Sequence, residues 1–127
     1  MTTASKRKGD TYERELAAYI SDAIGIEVAR APLSGGGKVG LTGGADLLGT
    51  PHLFVEAKRV ERLNFLDAMR QAEANIQKTK SPDMAIVINR RSRMKTGESL
   101  CLLRLDDFLV FYRAYLSLTG HRKNDDT

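Results

Sequence analysis

His52-Leu53-Phe54-Val55-Glu56-Ala57-Lys58 is an apolar run that ends in charge. It reads as a buried β-strand. Alternate side chains of a strand share a face, so Glu56 and Lys58 should point the same way, with Phe54 behind them. Charged groups at the end of a core strand are costly unless they have partners. Asp46 stands ten residues upstream of Glu56. Two carboxylates brought together call for a divalent cation between them, and a lysine alongside can hold a water or a phosphate. Those are the requirements of metal-assisted phosphodiester hydrolysis.

Outward from this strand, the chain reads as one α/β domain. Asp10 looks like an N-cap with Glu13 as its capping-box partner, opening a helix that runs to about Ile24 and stops at Gly25. Tyr12, Leu16, Ile20 and Ile24 form its buried stripe, widened by Ala17. Residues 26–31 read as a strand with Ile26, Val28 and Arg30 on one face. Residues 45–49 and 52–59 form two strands around a Thr50-Pro51 turn. Asn64 caps a second helix with Phe65, Met69, Ala72 and Ile76 as its apolar face. Strands at 84–89 and 100–105 follow, and Asp106 opens a last helix. The order is α-β-β-β-α-β-β-α. The expected boundaries are a flexible basic arm at 1–9, the domain at 10–118 and a polar tail at 119–127.

The last helix carries Phe108, Leu109, Phe111, Tyr112, Tyr115 and Leu116, too many apolar residues for one stripe. One face can pack on the sheet, and the other is expected to meet a second copy of the chain.

At 127 residues, 42% hydrophobic and 28% charged, the composition is that of an ordinary globular domain. No apolar run approaches the ~20 residues of a membrane helix, and the basic start lacks the apolar stretch of a secretory signal. Cys101 excludes an intrachain disulfide and a multi-cysteine zinc site, and suits a reducing cytosol. In its apolar strand it reads as a core residue. The formal net charge of +4 is mild, but its distribution is uneven. Lys6-Arg7-Lys8, Arg59 with Arg62, and Arg90, Arg91, Arg93 and Lys95 form clusters, which is how a phosphate-backbone binder distributes charge. Solvated faces and a tail would explain any one cluster equally well.

Each candidate has a plainer explanation. Asp46 fits a turn aspartate bonded to backbone N–H groups, and Glu56 with Lys58 fits a same-face ion pair. Glu13 serves equally as a capping-box residue and as a third carboxylate leaning over the sheet. Gly35-Gly36-Gly37-Lys38 is not a phosphate-cradling P-loop, because Val39 replaces the Ser or Thr and Pro32 the first glycine. His52 and His121 are too few for a histidine-based metal site.

The segments Lys8-Gly9-Asp10-Thr11-Tyr12-Glu13-Arg14-Glu15-Leu16, Arg30, Ser34-Gly35, Asp46 and Glu56-Ala57-Lys58 together resemble the archaeal Holliday-junction resolvases of the PD-(D/E)XK nuclease superfamily. The likeness to phage-type endonucleases of that superfamily is closer still, and covers roughly residues 8–112. It extends through Val55–Asn64, Gln71-Ala72-Glu73-Ala74, Asn89-Arg90-Arg91 and Leu103–Leu109. Ala45 stands where the name-giving proline would precede Asp46.

The resemblance implies a restriction-endonuclease-like αβββαβ core, a central mixed sheet flanked by helices, with an extra C-terminal strand and helix. It implies an intracellular, phage-encoded, Mg²⁺- or Mn²⁺-dependent endodeoxyribonuclease, often a homodimer, acting on DNA such as a four-way junction. By position, Glu13, Asp46, Glu56 and Lys58 would be catalytic. Asp46, Glu56, the Ala57 carbonyl and Glu13 would hold the metal. Arg14, Arg30, Ser34, Lys38, Arg59, Gln71, Arg90, Arg91 and Arg93 would contact DNA. The competing readings are another nicking or repair nuclease of the same fold, a non-catalytic DNA-binding module, and a metabolic enzyme with a small-molecule metal site.

Overall fold

The computed structural model describes residues 3–32 and 44–122. Among them the order is α1 (Thr3–Ile24), β1 (Ala29–Arg30), β2 (Leu47–Leu48), β3 (Leu53–Lys58), α2 (Phe65–Thr79), β4 (Met84–Asn89), a 3₁₀ turn (Thr96–Glu98), β5 (Leu100–Leu102) and α3 (Leu105–Leu118). This is the expected mixed α/β order.

β3 and β4 run parallel, register Leu53 with Met84 through Lys58 with Asn89, and α2 makes the crossover between them. β5 pairs antiparallel with β4, giving a mixed three-stranded sheet. β1 and β2 form a separate antiparallel pair. A backbone bond from Asp46 N–H to the Val55 carbonyl, 2.8 Å, ties the entry of β2 to β3. The turn between β2 and β3 requires a glycine. Gly49 has φ +91°, and a side chain there would run into the Glu27 carbonyl.

Both faces of β3 and β4 are covered, so their residues sort alternately into two cores. Val55, Ala57, Ile86 and Ile88 pack with Tyr12, Leu16 and Ala17 of α1. Phe54, Ala85 and Val87 pack with Ala68, Met69 and Ala72 of α2. The small alanines let α2 approach closely, and Phe54 and Met69 fill the layer. Full burial of each of these two stabilises the fold by about 1.5–3 kcal/mol. Asn64 caps α2 as the sequence predicts, its side chain accepting the Asp67 N–H at 3.1 Å.

Four expectations are corrected. α1 starts at Thr3, so the basic segment at 3–9 is helical and Asp10 lies inside the helix rather than at its cap. Lys6, Arg7 and Lys8 are good helix formers, and Gly9 does not outweigh them. Ile24 is 49% exposed, so it does not belong to the buried stripe of α1. Cys101 is exposed, since β5 is a three-residue edge strand. Finally, no residue of α3 is buried, so the described residues cover neither of its apolar faces.

Candidate active site

Three carboxylates lie in the body of the protein: Glu13, Asp46 and Glu56 are only 7%, 6% and 8% exposed. Burial at that level demands partners, and each has them. The Asp46 backbone bonds Val55, and its Oδ2 accepts the Ala57 N–H at 2.7 Å. Asp46 is thereby clasped to the residues on both sides of Glu56. Glu56 Oε2 lies 3.3 Å from Lys58 Nζ. Val55 and Ala57 face α1, so alternation puts Glu56 and Lys58 on the α2 side with Phe54. The pairing and orientation expected of the Glu-x-Lys strand are therefore present, and Asp46 is laid against the same strand.

Glu13 belongs to a different arrangement. From α1 its Oε1 accepts Arg30 Nε at 2.9 Å, while Arg30 NH2 reaches Asp10 Oδ1 at 2.7 Å. Burial works against the guanidinium's charge. The hydrogen bonds and charges of Glu13 and Asp10 outweigh it and hold the Arg30 pKa above arginine's ordinary value. Among the described residues no three His, Cys, Asp or Glu side chains gather so as to hold a metal ion. Glu13 thus does not join Asp46 and Glu56 in such a group.

Beyond the strand ends, Arg59 NH1 bonds Glu61 Oε2 at 2.7 Å, and the Ser92 N–H and hydroxyl donate to the same carboxylate at 2.9 and 3.0 Å. The Arg59 hydrogen bond first, then the Ser92 N–H, pull the Glu61 carboxyl below its usual range. Arg90 lies over the Tyr12 ring, 5.6 Å from its centroid. Arg14, Gln71, Arg91 and Arg93 are exposed. Ser34 and Lys38 lie outside the described residues.

Sequence reasoning did not anticipate two parts of this neighbourhood. Asp10, read as a cap, is half of the acidic clamp on Arg30. Asn89 is fully buried beside Lys58 in the β3–β4 register, and its Oδ1 accepts the Val60 N–H at 3.3 Å. A polar residue closing the apolar run Met84–Ile88 was the available signal for the second.

The donor chemistry fits a hard divalent cation: Asp46 and Glu56 supply carboxylate oxygens, and Ala57 adds a backbone carbonyl between them and Lys58. Among the described residues no helix is long and apolar enough to cross a membrane. No curated protein and no solved structure gives a significant match to the chain. The family model described as "Phage putative PDDEXK endonuclease" matches residues 4–81, a span that holds Glu13, Asp46, Glu56 and Lys58, and the chain belongs to that family.

Proposed function

We propose that the protein is a divalent-metal-dependent DNA endonuclease that cuts branched DNA, four-way junctions first, as a homodimer. The observation that carries this reading is the clasp of Asp46 across the Glu56–Ala57 segment with Lys58 paired to Glu56, in a chain of a PDDEXK endonuclease family. A Mg²⁺ or Mn²⁺ ion held by Asp46, Glu56 and the Ala57 carbonyl would acidify a water and neutralise charge at the phosphate.

The chain's own groups do the rest. Lys58 orients the attacking water, takes part in its deprotonation, and offsets charge that builds on the phosphate oxygens. Water attacks in line and the 3′-oxygen leaves, which gives a 5′-phosphate end. Glu13 and Asp10 hold the Arg30 guanidinium rigid, so that it meets a phosphate without first losing rotamer freedom. Glu13 reaches the metal at most through water. Arg14, Arg91 and Arg93 grip phosphates and carry little sequence information. The uncovered apolar α3 supports the homodimer. Two active sites related by a twofold axis suit paired nicks across a junction.

The deciding experiment incubates the protein with labelled four-way junction, duplex and single strand, in Mg²⁺, Mn²⁺ or EDTA, beside Asp46→Asn. Junction cleavage that needs metal and Asp46 supports the proposal. Duplex cleavage alone moves the reading to a nicking or repair nuclease. Binding without cleavage in either metal leaves a DNA-binding module.

A further inference from the structure

The ends of β3 and β4 have a second face. Alternation past Lys58 and Asn89 sends Arg59 and Arg90 to the α1 side, opposite Glu56 and Lys58. There they meet Arg7 and Lys8 of α1 around an open cleft of about 390 Å³, with Thr11 and Glu15 also on its wall. Four cations held round one cleft repel one another; Glu61 pairs with Arg59 at 2.7 Å, and Glu15 offsets only one more. Its nearest approach is 3.9 Å, to Arg90 NH2. The fold nevertheless fixes two of the four. Arg59 is held by Glu61 and Ser92, and Arg90 is stacked on Tyr12.

A second observation points to the same missing anion. Arg90 Nε, on the cleft wall, is a buried side-chain donor with no acceptor among the described residues. Buried donors are normally satisfied, so one on a residue that lines the cleft calls for an explanation. A base is a poor occupant, because the Tyr12 ring beside the cleft is buried and already covered by Arg90. Phosphate chemistry fits, since guanidinium groups bind phosphate oxygens through paired N–H donors.

We propose that this cleft seats an uncleaved phosphodiester of the bound DNA, next along the strand from the phosphate at Asp46, Glu56 and Lys58. The inference rests on the nuclease reading for its ligand. Lys58 and Arg59 are consecutive, so a strand passing over the ends of β3 and β4 meets the catalytic lysine on one side and the cleft on the other. The helical start of α1 then has a use: it places Arg7 and Lys8 at a fixed distance from the reacting phosphate.

The test measures binding of a fluorescent DNA duplex and junction without divalent metal, across a range of salt, for wild type, Arg7→Ala/Lys8→Ala and Lys78→Ala. Alanine favours helix, so the double variant keeps α1. Its log–log salt slope should be shallower by about 1, as expected for one lost phosphate contact. Lys78→Ala, on the far end of α2, should match wild type. In parallel, the Arg90 Nε–H resonance is followed on titration with a short oligonucleotide and with inorganic phosphate. A shift with oligonucleotide at concentrations where phosphate has no effect supports a strand site. Saturation by phosphate that oligonucleotide does not displace overturns it. An unchanged slope in the double variant, or an equal change in Lys78→Ala, also overturns it. Metal-dependent cleavage by wild type is scored on the same DNA. Cleavage with an unchanged slope removes the cleft alone, whereas a slope change without cleavage removes the nuclease reading alone.

Discussion

Val87 and Leu118 are both large aliphatic residues on regular elements, yet Val87 is wholly buried and Leu118 is 86% exposed. The contrast extends to the regions that hold them. β3 and β4 lie between α1 and α2 with a core on each face, and every group proposed for chemistry stands on or beside that packed unit. α3 follows the edge strand β5 and has no buried residue. Leu105, Phe108, Leu109, Val110, Phe111, Tyr112, Tyr115 and Leu118 are all 42–86% exposed. Together they leave on the order of 900 Å² of side chain in solvent. That exceeds the few hundred Å² usual for a monomer's largest apolar patch and is near the ~800 Å² each partner gives to a standard interface. Among the described residues, one half of the protein is covered on both faces and the other is not.

The sharpest separation of the two halves is functional. Asp46→Asn keeps the shape and the bond to Ala57 but removes the charge. Cleavage should fall by about 10³-fold with little change in thermal melting; full activity in the variant takes Asp46 out of the mechanism. Next comes stability. Phe54→Ala empties the α2 core and should cost about 3–5 kcal/mol in urea unfolding. A loss under 1 kcal/mol would mean that the packed half is not the stabilising one. On the open half, Phe108→Glu/Tyr115→Glu should leave the monomer fold within about 0.5 kcal/mol and convert a dimer to a monomer in light scattering. It should also abolish the rise of melting temperature with protein concentration. A wild type that is monomeric at every concentration removes α3 as a self-interface. The smallest effect belongs to Asn64→Ala, about 1 kcal/mol from the lost cap of α2, with cleavage unchanged.

The sequence made the packed half legible and left the open half obscure. β4 was readable to the residue, Met84–Asn89, because an apolar run between Pro82 and a basic stretch has sharp ends. Phe65, Met69, Ala72 and Ile76 identified the buried face of α2 because helical spacing is a strong signal. The Glu56–Lys58 pair followed from strand alternation alone. The start of α1 was misplaced because Asp10 and Glu13 satisfy a capping pattern while serving Arg30, a partner 17 or more residues away that local spacing cannot reveal. The apolar strand around Cys101 reads as core and the two apolar faces of α3 call for a sheet and a second copy, but hydrophobic content gives the need for burial and not the surface that supplies it. Asn89 was hidden for the same reason: its neighbours come from β3, not from its own segment.

The bond from the Tyr12 hydroxyl to Ser99 Oγ, 2.8 Å long, joins positions 87 residues apart. Its consequence falls on synthesis. α1 finds its full seat only after β3, β4 and the turn before β5 have emerged, so the Tyr12, Leu16 and Ala17 stripe waits for them without complete cover. A nascent chain halted short of Ser99 should bind a chaperone that grips apolar helices, and one released beyond Leu102 should not.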